Sequence, residues 1–456
     1  MRIAVLTPLP PARTGVAHYA SMLIPALAKR AEVRAFDSLD GYDRADFDHV
    51  LYHLGNNPYH EFVYREAMRE PGVVVLHDLV LHHLIVEMTL ARGDVEGYVD
   101  ALERNHGAAG AAWARGRAAG LHSEMGNFLL PASVDVANRS TAVIVHNRYA
   151  KERLESFGVT TPIHVVGHPY VHAEPVAVDR TDNRVIGFFG FLTSAKRAEV
   201  VLEAFRIARG SDPRLTLLIV GEPAPNIVLP EGEGIITTGY VADEDFPKYY
   251  AAADRLVNLR YPSAGETSGT LIRALDAGKP VAVSDYAQFA ELPDTVAVKI
   301  PFDREVEALV SFFLDDLADP ARAQREWLEK NASLDVTVEG YLAALRGAAG
   351  FSPPKHSGGL KPAAPLFPNL ELLEATTSGI TVKNTGEATL QTRTYGTPEY
   401  RLIANGRWLS LPRDLPPGES ATIDVQLETG PLRLYHALQD IPMLPPEPFA
   451  CSTITR

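Results

Sequence analysis

A chain of 456 residues is too long for one ordinary core, and at ~100–200 residues per domain it calls for two or three domains. With 46% hydrophobic residues, 22% charged residues and a formal net charge of −14, it reads as globular. That balance excludes a binder of nucleic-acid backbone, which needs clustered Lys and Arg to release counterions, but it leaves peripheral membrane contact open.

The single cysteine, Cys451, excludes an intrachain disulfide and a Cys-based zinc site, and the expected compartment is the reducing cytoplasm. The apolar start at Arg2–Leu6 is too short for a secretory signal, and no run reaches the ~18 apolar residues of a membrane span. Arg2–Leu6 reads as a buried strand. A Pro/Gly loop (Pro8–Tyr19, PLPPARTGVAHY) follows, with Arg13 as a candidate cation. Gly15 then opens an amphipathic stretch, Val16–Ala28, with His18 one turn on. A glycine at this point lets backbone approach a phosphate closely, although it also suits a simple turn.

Val33–Phe36, His49–His53 and Val73–Leu76 are the next strand candidates, and Val143–Val145 and His164–Val166 follow later. The loop Leu54–His60 supplies Asn56, Asn57 and His60, hydroxyl ligands of the kind an acceptor subsite needs. The strand Val73–Leu76 runs into His77 and Asp78, where the imidazole can meet a substrate hydroxyl and the carboxylate can orient the ring; a structural pair is the alternative. Ile85–Asn127 has no β-runs and reads as two inserted helices. A polar, Pro-containing break covers His168–Asp182.

The alternation then restarts with Val185–Phe189, Leu215–Val220, Ile235–Thr237, Leu256–Leu259, Val281–Val283 and Val296–Ile300. Strands alternating with helical patterns imply βαβ units and parallel sheets, here two doubly wound lobes with a ligand cleft at the carboxyl ends of the strands. After the first of these strands, Gly190 precedes a loop carrying Lys196 and Arg197. A cation there suits a pyrophosphate leaving group, and a solvated surface lysine is the alternative.

Tyr261–Asp285 (YPSAGETSGTLIRALDAGKPVAVSD) reads as strand end, Gly/Ser/Thr loop, helix and strand. The backbone of Thr267, Ser268 and Gly269 would present N–H groups at the start of a helix over Thr270–Ala277, an anion site. Gly278 caps that helix and Pro280 stops it. Glu266 beside an anion site makes sense as an acceptor for sugar hydroxyls; a helix-capping role is the alternative. A nucleobase would pack near Gly221-Glu222 and Tyr240-Val241, with Gly221 and Val241 as the contacts. Asp46-Phe47-Asp48 and Asp243-Glu244-Asp245 look like Asp-x-Asp metal motifs but suit a turn and a helix cap better, so no metal is expected.

From Phe351 the composition changes. Residues 351–368 (FSPPKHSGGLKPAAPLFP) read as a linker. Beyond it, short alternating strands are cut by Asn384-Thr385-Gly386, Asn405-Gly406 and Pro416-Pro417-Gly418-Glu419, as in an antiparallel sandwich. The domains read as 1–172 with a helical insertion at about 85–127, 173–350, the linker 351–368, and 369–456.

The second lobe resembles the retaining, two-lobed "group 1" glycosyltransferases of GT-B fold. Their pattern Pro-Ser-x-x-Glu-Gly-Phe-Gly, Glu-Ala, Gly-x-Pro-Val is met by Pro262, Ser263, Glu266, Gly269, Ala274, Gly278 and Pro280 with one residue deleted. Gly190 and Lys196 fit the family's Gly-Arg, short loop, Lys-Gly pattern. Phe191 stands where the Arg is usual, Arg197 where the Gly is, and Arg273 where a second, ribose-holding Glu is. The resemblance extends over residues 1–348 and is more specific in the second lobe.

It implies a hexosyltransferase, metal-independent and without a cofactor, that takes a nucleotide-diphosphate sugar and retains anomeric configuration. The acceptor would be a glycan, a lipid-linked sugar or a small molecule. Glu266 and His77 would touch the donor sugar. Lys196, Arg197, Gly15, Gly190 and the 267–269 amides would hold the diphosphate. The C-terminal segment resembles Ig-like accessory domains, a structural appendage or a homodimer contact. The departures at Phe191 and Arg273 keep two rivals in view: a non-catalytic sugar-nucleotide or glycan binder, and an epimerase or synthase on the same scaffold.

Overall fold

The computed structural model of the protein describes residues 1–456 except 13, 121–123, 175, 178–182, 225–230, 243, 349–350, 352–368, 387–388, 391, 393–399, 406, 439–440, 443–448 and 455–456. Arg13, Asp243, Gly406 and the linker beyond residue 351, all singled out in the sequence, lie outside the described residues. The chain forms two compact units. The first comprises Met1–Leu79, Val136–Glu155 and Val159–Lys355, and the second Val80–Asp135, Ser156–Gly158 and His356–Arg456.

The first unit holds two parallel sheets. One contains β1 (Arg2–Leu6), β2 (Glu32–Phe36), β3 (His49–Leu54), β4 (Val73–Leu76), β5 (Ala142–Val145) and β6 (Ile163–Val165) in the order β2-β1-β3-β4-β5-β6. The other contains β7 (Arg184–Phe189), β8 (Leu215–Val220), β9 (Ile235–Thr237), β10 (Arg255–Asn258), β11 (Val281–Ser284) and β12 (Val298–Ile300) in the order β12-β11-β10-β7-β8-β9. Every residue of β4, β5 and β8 is buried, as expected of parallel strands covered on both faces.

Alternation along the strands divides the second sheet's side chains between two cores. Ile186 and Phe188 of β7, with Leu217 and Ile219 of β8, face α8 (Ala198–Ser211) and α11 (Glu305–Leu314). Phe189, Leu218 and Val220 face the opposite core, with α9 (Phe246–Ala252), α10 (Gly269–Asp276) and α12 (Ala321–Ala332). This is a doubly wound lobe with the strand order of a dinucleotide-binding sheet.

In the first lobe Thr14 caps α1 (Gly15–Ala28), its hydroxyl accepting from the Ala17 N–H at 3.0 Å. α2 (Glu61–Arg69) packs on β3, and α7 (Arg148–Ser156) follows β5. Residues 334–348, assigned with the second lobe by sequence order, form α13 (Leu334–Ala348). Its Val338, Tyr341, Leu342 and Leu345 lie in the first lobe's core with Tyr19, Leu23 and Leu27 of α1. The Tyr19 and Tyr341 hydroxyls meet there at 2.7 Å.

The second unit contains the insertion, which is more divided than two helices: α3 (His82–Met88), α4 (Val95–Ala118), broken at Gly107, and α5 (Glu124–Leu129). The short helix α6 (Val134–Arg139) leads back to β5. The unit's C-terminal strands form two antiparallel sheets. β13 (Leu370–Ala375), β14 (Gly379–Asn384) and β17 (Ser420–Asp424) make one. β15 (Tyr400–Ala404), β16 (Arg407–Ser410), β18 (Gly430–Leu438), β19 (Ile441–Pro442) and β20 (Ala450–Ile454) make the other. Among the described residues no helix is long and apolar enough to cross a membrane.

A buried ion pair braces the second lobe. Arg197, in the left-handed region at φ 59°, bonds the carboxylate of Glu305, and both side chains are almost fully buried. Its guanidinium also lies 5.8 Å from the ring centres of Tyr261 and Phe302. Removing one partner of such a pair strands a desolvated charge. Glu305→Ala should therefore cost about 3–5 kcal/mol in urea unfolding, and a loss below about 1 kcal/mol would show that the pair is not what braces the lobe.

Candidate active site

In a doubly wound sheet the crevice opens where the strand order reverses. In the second lobe that point lies between β7 and β10, and in the first between β1 and β3. The loops leaving these four strands line a cleft of about 2340 Å³.

After β7 the chain turns at Gly190 (φ 94°), and the next residues bring Lys196 back under it. The Lys196 ammonium donates to the Phe189 carbonyl, and only 6% of the residue is exposed. A Cβ on Gly190 would sit 2.8 Å from that ammonium, and one on Gly221 would sit 2.2 Å from the Gly190 carbonyl oxygen, so neither position tolerates a side chain. Burial drives the Lys196 ammonium well below the ordinary lysine range. The nearby Arg260 charge adds to the depression, and Glu266 opposes it.

After β10 the chain carries Arg260 and Glu266, paired at 2.8 Å. The loop between them is tightly bonded. Ser263 Oγ donates to Gln288 Oε1 at 2.7 Å and accepts from the Gly265 N–H at 3.0 Å, while Gln288 Nε2 donates to the Glu266 carbonyl at 2.7 Å. Ser268 caps α10, and Asn258 Oδ1 accepts from the hydroxyls of Ser268 (2.9 Å) and Thr270 (3.1 Å). The first-turn amides have no carbonyl to meet within the helix, and Thr267, Ser268, Gly269 and Thr270 all line the cleft.

The first lobe contributes a row of buried histidines. His146 Nδ1 lies 2.8 Å from the Val166 carbonyl, which can only accept, so Nδ1 carries the proton and Nε2 is a lone pair. His77 Nδ1 must then donate to His146 Nε2 (3.1 Å), and His53 Nδ1 to His77 Nε2 (2.9 Å). One carbonyl thus sets three tautomers. His77 lines the cleft, but both its ring nitrogens are engaged within the row.

The sequence-derived residues divide as follows. Lys196, Glu266, His77, Gly15, Gly190, Gly221, Val241, Thr267, Ser268, Gly269, His18, Asn57 and Asp78 all line the cleft. Arg197 does not, because it turns into the lobe to pair with Glu305. His60 is fully buried and bonds the His53 carbonyl at 2.9 Å, and Asn56 gives its N–H to Asp78 Oδ2 at 2.8 Å; neither side chain belongs to the lining. Asp48 bonds Arg2, and Asp245 pairs with Lys248 at 2.6 Å.

Arg260, Tyr19, His146 and His168 also line the cleft and were not singled out. Three of them lie within three residues of a strand end, His146 directly after β5, Arg260 two beyond β10 and His168 three beyond β6, a positional signal the sequence carried. Arg273, where a second Glu was missing, donates to His18 Nε2 at 3.2 Å and lies 5.0 Å over the Phe246 ring.

A family model described as "Glycosyl transferases group 1" matches residues 183–315, the second lobe. Comparison with curated proteins finds no match. Among solved structures, sucrose-phosphate synthase from Thermosynechococcus elongatus is similar at 15% identity with a TM-score of 0.51, covering 76% of this chain and 98% of that one. Alr3699/HepE from Anabaena, solved with UDP and glucose, is similar at 15% identity with a TM-score of 0.48, covering 76% and 99%. The fold is thus of the two-lobed GT-B type, and its second lobe matches the group 1 glycosyltransferase model.

The histidine row makes stability depend on acid. Burial pushes His53 and His168 down to about 3 and His60 and His146 down to about 4, with neighbouring imidazoles adding to the effect at His53 and His168. These rings stay neutral in the fold but take up protons near 6.5 once unfolded. The folded pKa is depressed, so the stabilisation is complete above about pH 6.5 and is lost as pH falls toward 4, at up to about 1.4 kcal/mol per pH unit for each ring. The melting temperature should fall steeply between pH 7.5 and 5 in calorimetry, and His146→Gln should flatten that slope. A melting temperature constant over the range would contradict the buried neutral row.

Proposed function

We propose that the chain is a retaining glycosyltransferase that moves a hexosyl group from a nucleotide-diphosphate sugar to an acceptor hydroxyl without a metal. The observation that carries this reading is the meeting of Lys196, Glu266 and the start of α10 at one switch point, facing one cleft. The group 1 match over the same lobe supports it.

In this reading the diphosphate lies against Lys196, Gly15 and the amides at the start of α10, which stabilise charge as the bond from the anomeric carbon to phosphate oxygen breaks. Glu266 accepts hydrogen bonds from sugar hydroxyls, and His77 touches the sugar. The acceptor hydroxyl enters beside Asn57, Asp78 and His18 and attacks from the leaving-group face. Its oxygen bonds the anomeric carbon as its proton passes to the departing phosphate oxygen, so no enzymic nucleophile is needed. The nucleobase packs near Gly221 and Val241.

The C-terminal sheets are read as an Ig-like accessory domain or a homodimer contact. The exposed thiol of Cys451 suits a reducing cytoplasm, with the acceptor either free or at the inner membrane face.

A thermal-shift series with UDP-, GDP-, ADP- and TDP-sugars should find one donor that raises the melting temperature, because a ligand of the native state stabilises it. With that donor, Lys196→Ala and Glu266→Ala should each lower turnover at least ~100-fold; near-normal rates in either variant would remove the assignment. Product from that donor should keep the donor's anomeric configuration. Binding with neither transfer nor hydrolysis would mark a sugar-nucleotide binder instead. EDTA should leave the rate unchanged, and full loss restored by manganese would overturn the metal-free mechanism.

A further inference from the structure

Arg260 stands two residues beyond β10, on the wall of the cleft, and the backbone fixes where it emerges. Its N–H donates to the Ser284 hydroxyl at 2.9 Å, and Ser284 itself is fully buried at the end of β11. The side chain is only 12% exposed.

A guanidinium has five N–H donors in a planar fork and cannot lose its charge. At Arg260 the charge is met by one group, Glu266, whose Oε1 lies 2.8 Å from Nε. None of the five N–H groups makes a hydrogen bond to a described residue. The two terminal nitrogens are not sealed in the protein either, since only Nε is both buried and without a bonded acceptor. Charged donors that open onto a cleft wall and meet no acceptor of the protein are available to a ligand's acceptors.

The surroundings name the ligand's charge. The two loops are joined beside these residues, the Tyr261 N–H donating to the Ala195 carbonyl at 2.7 Å. Lys196 and Arg260 both line the cleft with one carboxylate, Glu266, paired to Arg260, and among the described residues the ammonium bonds a carbonyl; two basic side chains thus share one acidic partner. The guanidinium presses on the Lys196 ammonium more than any other charge does. Phe191, from the loop on the other side of the switch point, lines the same cleft with an exposed ring and brings no charge.

We propose that Arg260 has two tasks in the glycosyl-transfer site: its terminal N–H groups grip the donor's diphosphate beside Lys196, and its Nε edge positions the Glu266 carboxylate. One rigid group would then tie the sugar-binding carboxylate to the leaving group, so that a change in either is felt by the other. A planar fork can take two phosphate oxygens while keeping its third edge on Glu266, and an ammonium cannot do both. The proposal rests on the reading of the cleft as a nucleotide-sugar site.

The test uses the full chain and inorganic pyrophosphate as probe, with orthophosphate as reference, in calorimetric titrations of the wild type, Lys196→Ala, Arg260→Gln, Arg260→Lys and Glu266→Gln. Pyrophosphate should bind the wild type more tightly than orthophosphate. Arg260→Gln should lose about tenfold or more of that affinity, the scale of a lost charge-assisted contact. Arg260→Lys should keep pyrophosphate binding within a few-fold but lower kcat at least about tenfold with little change in KM, because a lysine restores charge without aligning Glu266. Glu266→Gln should tighten pyrophosphate binding, since it frees the guanidinium's charge.

If Arg260→Gln binds pyrophosphate like the wild type while Lys196→Ala does not, the proposal falls and the site reading stands. If neither variant changes pyrophosphate binding, the site reading itself falls. Full recovery of kcat in Arg260→Lys would overturn the positioning role. Circular dichroism checks folding, and if Arg260→Gln does not fold, Arg260→Lys and Glu266→Gln decide the matter by the same criteria.

Discussion

The candidate site depends on a lysine ammonium tucked beneath a glycine at the end of a buried strand. Lys196 can reach the Phe189 carbonyl only because Gly190 has no side chain, and Gly190 can turn there only because Gly221 lets the next strand's end pass close by. Two missing side chains therefore make space for one buried cation. In such a low-dielectric place a charge is expensive to hold without a partner and correspondingly strong toward one that arrives. Arg260 and Glu266 stand at the neighbouring strand end, and the order β9-β8-β7-β10-β11-β12 is what makes those two ends adjacent. Topology, glycine placement and electrostatics converge on one crevice.

The first lobe answers with a different device. Its cleft wall is backed by imidazoles whose proton positions follow in turn from the Val166 carbonyl: His146, then His77, then His53. Tyr19 packs edge-on against His77, with ring centres 4.5 Å apart. The row is polar but neutral, bonded from the Val166 carbonyl as far as His53 Nδ1, and it ends at a buried His53 Nε2 that meets no partner among the described residues. It shapes the first lobe's wall with neutral rings, opposite the charged residues of the second lobe.

Much of the architecture was legible because parallel strands buried on both faces are continuous apolar runs, as VVVL at β4 and LTLLIV at β8 illustrate. The loop from Pro262 to Gly269 was legible too, since Gly and Ser before a capped helix have few other uses. Other features escaped for physical reasons. Arg197 looked like a cleft cation, but a left-handed backbone at that residue turns it inward to Glu305, a partner 108 positions away. His60 looked like a loop ligand, yet its ring fills the space above Gly55 and bonds a strand carbonyl. α13 follows the second lobe in sequence and packs with the first, a pairing that no local pattern encodes. Arg260 gave no motif signal, because its meaning comes from Glu266 and Lys196 across the switch point.

The return of α13 also bears on how the two faces of the cleft are held in register. Asn147, just past β5, donates to the Gly265 carbonyl at 2.9 Å, and Glu291 accepts the N–H groups of Arg148 and Tyr149 at 3.1 and 2.6 Å, capping α7 from the second lobe. A Cβ on Gly265 would lie 2.6 Å from that of Leu79, two residues beyond His77, so the Glu266 loop and the His77 strand end are in direct contact. With α13 on one side and these bonds on the other, the backbone next to Glu266 is held by both lobes, while its carboxylate is met by Arg260 and Ser263 of the second lobe. The charged groups themselves sit in the second lobe, and what the first lobe adds is the opposite wall of the cleft and a fixed backbone for the loop that carries Glu266.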